Sequence, residues 1–225
     1  MLVRYLALIP LIAMLVLPGS PQRVYLTFDV ELPDTPEDIA QLLSILDTHN
    51  VKATFFVLGD FAERYPDTVE AIIKAGHELG YHTKSHRVLT GLGEEDMMQE
   101  LKKPYDSIKG FRAPWNKVNK RVFELLKVNG YGYDSSLYDG FSIQPSNGIR
   151  ELKISSWFGL PLSDTLFLYY LKLPWLYRWI IARVKTRDLV LEMHPHIILM
   201  SPESLVYIIE HFKPKAEFER CEDAF

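Results

Sequence analysis

Cysteine is almost absent from this chain. A single residue, Cys221, occurs in 225, which excludes an internal disulfide framework and a thiolate metal cluster. Any metal must be held by nitrogen and oxygen. A chain of this length can bury a core without covalent staples, so scarce cysteine fits either side of a membrane. Positive charge is not in excess either: 25 Lys and Arg against 29 Asp and Glu leave a net charge of -4. No basic stripe tracks a phosphate backbone, and nucleic acid is excluded as an expected partner. Internal repeats and low-complexity linkers are missing too. With 48% hydrophobic and 24% charged residues, the chain suits one sizeable α/β domain better than two.

Long apolar runs are confined to the start. In MLVRYLALIPLIAMLVLPGS, Arg4 precedes Tyr5 to Leu17, which is apolar apart from Tyr5 and Pro10. That is the pattern of an export signal, although the run is shorter than the roughly 20 residues that cross a bilayer and no Ala-x-Ala cleavage site follows. Residues 1–22 are therefore expected to be a signal peptide or an uncleaved anchor, the latter a route to membrane association. The alternative is an extra element packed on the domain. The expected location is exported or membrane-associated on the outer face. The catalytic domain is expected over 23–213, followed by a charged tail over 214–225.

From Val24 short β-rich runs alternate with helical stretches, the signature of a largely parallel sheet built from βα units. VYLTFDV reads as the first strand. PEDIAQLLSILDTHN, with Pro36 at its start and Ile39, Leu42, Leu43 and Leu46 on one face, reads as a helix. A buried strand in KATFFVLG closes at Gly59, and a helix runs from about Pro66 to Ala75. Further strands are expected at Glu78–Tyr81, Gly110–Arg112, Tyr131–Asp134 and Asp188–Met193, with helices at Glu94–Ile108, Val118–Asn129 and Pro202–Phe212. Residues 135–148 read as loop. The aromatic stretch from Pro161 to Arg183 reads as core or domain cover before ligand cleft.

The strongest local signal is HTKSH, residues 82–86. Histidines four apart in a helical or tight-loop setting can turn both imidazoles on one ion. A lone pair of this kind is weak evidence, and ordinary hydrogen-bonded histidines explain it equally well. Its company changes the balance. TFDVE puts Asp29 and Glu31 at a strand end, on the same side by period-two alternation. GFRAPW puts Arg112 at another, with a turn that leaves the Trp115 backbone N–H free for a ligand. YDSS adds Asp134, and LEMHPH adds His194. Strand ends of a parallel barrel open on one face, where such folds assemble catalytic residues.

Taken in order, these motifs resemble those of the NodB-type polysaccharide deacetylases, the family 4 carbohydrate esterases, over about Val24 to Phe212. The resemblance implies a distorted (β/α)7 barrel of the polysaccharide deacetylase type. It also implies a divalent metal, zinc by preference, and hydrolysis of N-acetyl groups on amino sugars of a chitin-like or peptidoglycan-like polymer. TFDVE resembles the branch whose two acids are spaced by one, which makes Glu31 a metal ligand with His82 and His86, and Asp29 the general base. Arg112 would orient Asp29, and the Trp115 N–H would donate to the oxyanion. His194 would protonate the leaving amine, its pKa raised by Asp134. The family usually places an apolar residue near the acetyl methyl two positions before the late histidine; here that position is Glu192. Pro104 also interrupts the helix expected from Glu94. Two other readings remain open: a cyclic-amide or ureide hydrolase using the same metal site, and a non-catalytic glycan-binding relative.

Overall fold

The computed structural model describes residues 21–139, 145 and 148–225. Residues 1–20 of the expected leader, and part of the loop over 135–148, lie outside the described residues. Strand β1, Arg23–Val30, is buried along almost its whole length, as befits a strand covered on both faces. It pairs in parallel with β2, Thr54–Val57, on one side and with β9, Asp188–Met193, on the other. The sheet continues, parallel throughout, through β3, Glu78–Tyr81, β4, Gly110–Phe111, β5, Tyr133–Asp134, and β6, Arg150–Glu151. A short antiparallel hairpin of β7, Ser156–Trp157, and β8, Leu160–Pro161, stands outside it. Among the described residues no ladder joins β6 to β9. Ser155 spans that gap, its N–H donating to the Val190 carbonyl and its Oγ accepting from the Val190 N–H, both at 3.0 Å. The result is a curled, incompletely closed (β/α)7 barrel.

Local chemistry explains the crossover helices. Helix Pro36–Thr48 starts at a reciprocal cap: the Asp38 N–H donates to Thr35 Oγ1 and the Thr35 N–H donates to the Asp38 carboxylate. That satisfies two donors the first helical turn leaves open. Ile39, Leu42 and Leu46 then pack fully against the sheet. Helices Pro66–Lys74 and Pro202–Phe212 likewise begin with proline, whose missing N–H costs nothing at that position.

Several expectations need correction. The helix from Glu94 ends at Glu100 rather than Ile108, because Pro104 disfavours helical geometry at Lys103 and offers no amide donor. Gly59 does not close a strand but opens the short helix Gly59–Arg64. The segment beyond residue 213 is no detached tail: β10, Glu217–Phe218, pairs with the start of β1, and Cys221 is fully buried. The aromatic stretch is divided in use. Phe167, Leu168, Tyr177, Ile180 and Ile181 are core, while Tyr170, Trp175 and Trp179 face outward. Among the described residues no helix is long and apolar enough to cross a membrane.

Candidate active site

The parallel strands all end on one face, and a cleft of about 450 Å³ opens there. Along β1, Thr27, Asp29 and Glu31 follow the two-residue repeat, so their side chains leave on the same side. Arg112, just past β4, is wholly buried. Its Nη1 donates to Thr27 Oγ1 at 2.7 Å and to Asp29 Oδ1 at 2.9 Å, its Nε to the Ser135 carbonyl at 2.7 Å, and its Nη2 to Ser135 Oγ at 2.9 Å. The guanidinium also lies 4.4 Å from the centroid of the Phe56 ring. Burial lowers the Arg112 pKa and the Asp29 and Glu192 carboxylates raise it, with a net rise. The ring beneath has room because β3 carries glycine: a methyl at Gly80 would collide with Phe56.

HTKSH is a tight loop, not a helix. Thr83 and His86 have φ of 69° and 64°, a left-handed geometry that costs a β-branched residue energy unless its surroundings enforce it. Those surroundings are present. Thr83 Oγ1 accepts from the His86 N–H, and buried Glu100 accepts from the Ser85 N–H at 2.9 Å and its hydroxyl at 2.6 Å. The loop brings the two imidazole centroids to 5.2 Å. His82 Nδ1 lies 2.8 Å from the Arg112 carbonyl oxygen; a carbonyl only accepts, so Nδ1 carries a proton and Nε2 is the nitrogen turned toward Glu31.

Glu31 Oε1 is the hub, 3.0 Å from His86 Nε2, 3.7 Å from His82 Nε2 and 3.8 Å from His194 Nε2. Its backbone N–H donates to Asp34 Oδ2 at 2.7 Å. Burial would raise the Glu31 carboxyl, but hydrogen bonding and charge from His82 and His86 outweigh it and hold the group well below the usual carboxylate range. One carboxylate oxygen and two imidazole nitrogens within 4.8 Å of one another form a candidate site for a borderline divalent cation, and this nitrogen and oxygen set fits such an ion. A second cluster, Asp29, Glu192 and His194, has the same spread. Each of its members is already engaged by protein groups, which argues against it as the resting place of an ion.

His194 sits where β9 meets the helix Pro195–Ile198. Its partner is Asp164, not Asp134: the imidazole Nδ1 lies 3.0 Å from Asp164 Oδ1, and the His194 N–H donates to Oδ2 at 2.7 Å. Burial lowers the His194 pKa, but Asp164, supported by Asp29 and Glu192, more than reverses this and raises it to about 10. Asp134 instead folds back on its own loop, accepting from the Ser136 N–H at 3.0 Å and hydroxyl at 2.7 Å. Ser136 Oγ in turn accepts from the Ala113 N–H at 2.8 Å. Asp134 lies beside half-buried Glu151, whose pKa desolvation and the Asp134 charge push up to about 11. It braces the turn after Arg112 and does not reach His194, because its short side chain closes on the amide two residues ahead.

That turn is unusual. Trp115 and Asn116 both have positive φ, 57° and 56°, which for a bulky residue is an outlier. The turn closes through the Asn116 N–H to Ala113 and the Lys117 N–H to Pro114, and neither bond uses the Trp115 amide. The Trp115 indole is 69% exposed and stands 6.1 Å from the His86 ring, at the lip of the cleft.

Asp34, Glu100, Tyr138, Asp164 and His196 were not identified as site residues from the sequence. His196 Nδ1 lies 2.7 Å from Asp34 Oδ1, so Asp34 ties the loop carrying Glu31 to the loop carrying His194. The repeat HPH was a usable signal for His196. Nothing local marks Asp164, which reaches the site only because the segment before the Thr165–Tyr170 helical turn folds over it.

A parallel barrel with an acid, two histidines, an arginine-held carboxylate and an aspartate-held histidine at its strand ends defines a class of site suited to polar bond hydrolysis. The chain belongs to the polysaccharide deacetylase family, whose model matches residues 17–133. A peptidoglycan N-acetylglucosamine deacetylase from Bacillus cereus is 42% identical over 84 residues, 37% of this chain and 30% of that protein. A second from the same organism is 32% identical over 121 residues, 51% and 56% of the two chains. A chitooligosaccharide deacetylase from Rhizobium leguminosarum bv. trifolii is 40% identical over 91 residues, 40% and 41%. The matched stretches thus span about a third to just over half of these relatives. Among solved structures, a family 4 carbohydrate esterase from Streptomyces lividans in complex with acetate shares the fold, with a TM-score of 0.67 and 18% identity over 90% of this chain and 93% of that one.

Proposed function

We propose that this protein is a metal-dependent hydrolase that removes N-acyl groups from amino sugars of a polysaccharide or glycoconjugate. The observation that carries this reading is the convergence in one cleft of Glu31 with His82 and His86, Asp29 with Arg112, and His194 with Asp164. Similarity to the peptidoglycan and chitooligosaccharide deacetylases supports an N-acetylated sugar polymer or oligomer as substrate.

Glu31, His82 and His86 would hold the metal, with zinc the expected identity. When bound, a divalent ion supplies Lewis acidity that polarises an acyl carbonyl and makes water more acidic. The protein's own residues supply the rest. Asp29 takes a proton from the attacking water; Arg112 keeps its carboxylate oriented through the 2.9 Å contact. The Trp115 N–H, at the end of a stiffened turn, donates to the oxygen that gains charge. His194 gives its Nε2 proton to the departing amine, because an amine expelled without one is a very poor leaving group. Asp164 fixes the tautomer by accepting from Nδ1. Trp115 at the lip offers a flat apolar face for a sugar ring.

The apolar leader supports an exported or membrane-associated protein. A direct test of the hydrolase reading measures bound metal together with acid and free amine released from chitooligosaccharides and peptidoglycan fragments. Stoichiometric metal with no product from any N-acylated sugar would overturn it.

A further inference from the structure

Glu192 stands two residues before His194 on β9, and the structure builds it into the cleft. It is 6% exposed, lines the cleft beside Asp29 and His194, and has a carboxylate oxygen within 4.8 Å of a ligand atom of each. Two cleft groups hold it: Asn116 Nδ2 donates to Oε1 at 2.7 Å and the Tyr138 hydroxyl donates to Oε2 at 2.8 Å. Each carboxylate oxygen accepts at two positions, so each retains acceptor capacity. Asn116, which also lines the cleft, has its Oδ1 buried without a hydrogen-bond partner. The cleft wall beside Asp29 and His194 therefore presents a carboxylate with acceptor capacity to spare.

We propose that Glu192, held by Asn116 and Tyr138, selects acyl groups bearing a hydroxyl, of the glycolyl class, over acetyl. An acyl methyl placed against this wall removes water from the carboxylate and gives nothing back. A hydroxyl on the acyl carbon donates into it. Sites that hydrogen-bond a substrate hydroxyl discriminate strongly against the analogue lacking it, because their buried polar groups are left unpaired. The overall reaction is unchanged: water adds across the amide C–N bond, releasing glycolate in place of acetate and the free amine.

This inference rests on the N-acyl hydrolase reading, and its test separates the two. The kcat/KM values for N-glycolyl and N-acetyl forms of the same glucosamine oligomer are measured on metal-loaded wild type and on Glu192→Leu, and binding of glycolamide and acetamide is measured on both by NMR. The wild type should favour glycolyl by about ten- to a hundred-fold in both assays, and Glu192→Leu should lose or reverse the preference. Any preference of the metal itself for a hydroxyl is common to both proteins and cancels in the comparison. An unchanged glycolyl-to-acetyl ratio in Glu192→Leu, with both rates reduced, would make Glu192 only an anchor of the Trp115–Asn116 turn and overturn the proposal. Absence of turnover on both substrates would overturn the hydrolase reading instead, while the amide-binding preference still decides the role of Glu192.

Discussion

Arg112 Nη1 reaches Asp29 Oδ1 at 2.9 Å with neither side chain more than 2% exposed. A buried pair of this kind is no assurance of net stability, since removing two charges from water offsets most of their attraction. Losing one partner is another matter. Arg112 also holds Thr27 and two atoms of Ser135, so Arg112→Ala should destabilise the fold by about 3–5 kcal/mol, measured by denaturant unfolding, besides abolishing turnover. Asp29→Asn keeps the shape, and is expected to retain stoichiometric metal while losing turnover by at least about 10². Metal loss in Asp29→Asn would move Asp29 from base to ligand.

Glu31 makes the opposite prediction. Its oxygen faces His86 at 3.0 Å and His82 at 3.7 Å, so Glu31→Ala should weaken metal binding markedly, read by metal analysis after dialysis. Chelation should abolish activity in the wild type, and zinc or cobalt should restore it. Full activity in protein shown to be free of metal would end the proposed mechanism.

Asp164 sets the pH profile. Its carboxylate holds the His194 pKa up at about 10 against burial, so the proton is expected to be retained through neutrality and the basic limb of kcat/KM should lie well above pH 7. In Asp164→Asn the opposing effect of burial is left to act, and that limb should move to lower pH. The stability linkage has the same sign: a pKa raised above the unfolded value of 6.5 gives stabilisation fully present below that pH and lost as pH rises through about 10. An unshifted basic limb in Asp164→Asn would mean His194 is not the titrating acid.

Asp134 is predicted to behave differently from Asp164. Its bonds run to Ser136, and through Ser136 to Ala113, so Asp134→Ala should lower stability and turnover together without moving the basic limb. A shift of that limb equal to the one in Asp164→Asn would restore a direct link to His194.

Much was legible in the chain because it is local. β1 sets apolar Val24, Leu26, Phe28 and Val30 at every second position, the Thr35–Asp38 cap and Pro36 start a helix, and the same two-residue alternation puts Thr27, Asp29 and Glu31 on the other side. Five polar motifs at the ends of five strands already implied one shared face, since the strands of a parallel sheet all end on the same side. Spacing alone left the fold-back of Asp134 unseen, because Asp134 is as near in sequence to a strand end as any catalytic residue. Asp164 lies 30 residues from His194 in a stretch without periodicity, and Glu192 meets Asn116 and Tyr138 from two other strand ends. Those partnerships depend on how the loops fold over the barrel mouth, where packing and the pairing of buried charge decide the geometry. The sequence determined the strands, the helices and the identity of the chemical groups. Tertiary structure decided which acid serves which base, because a carboxylate's partner is set by distance in space.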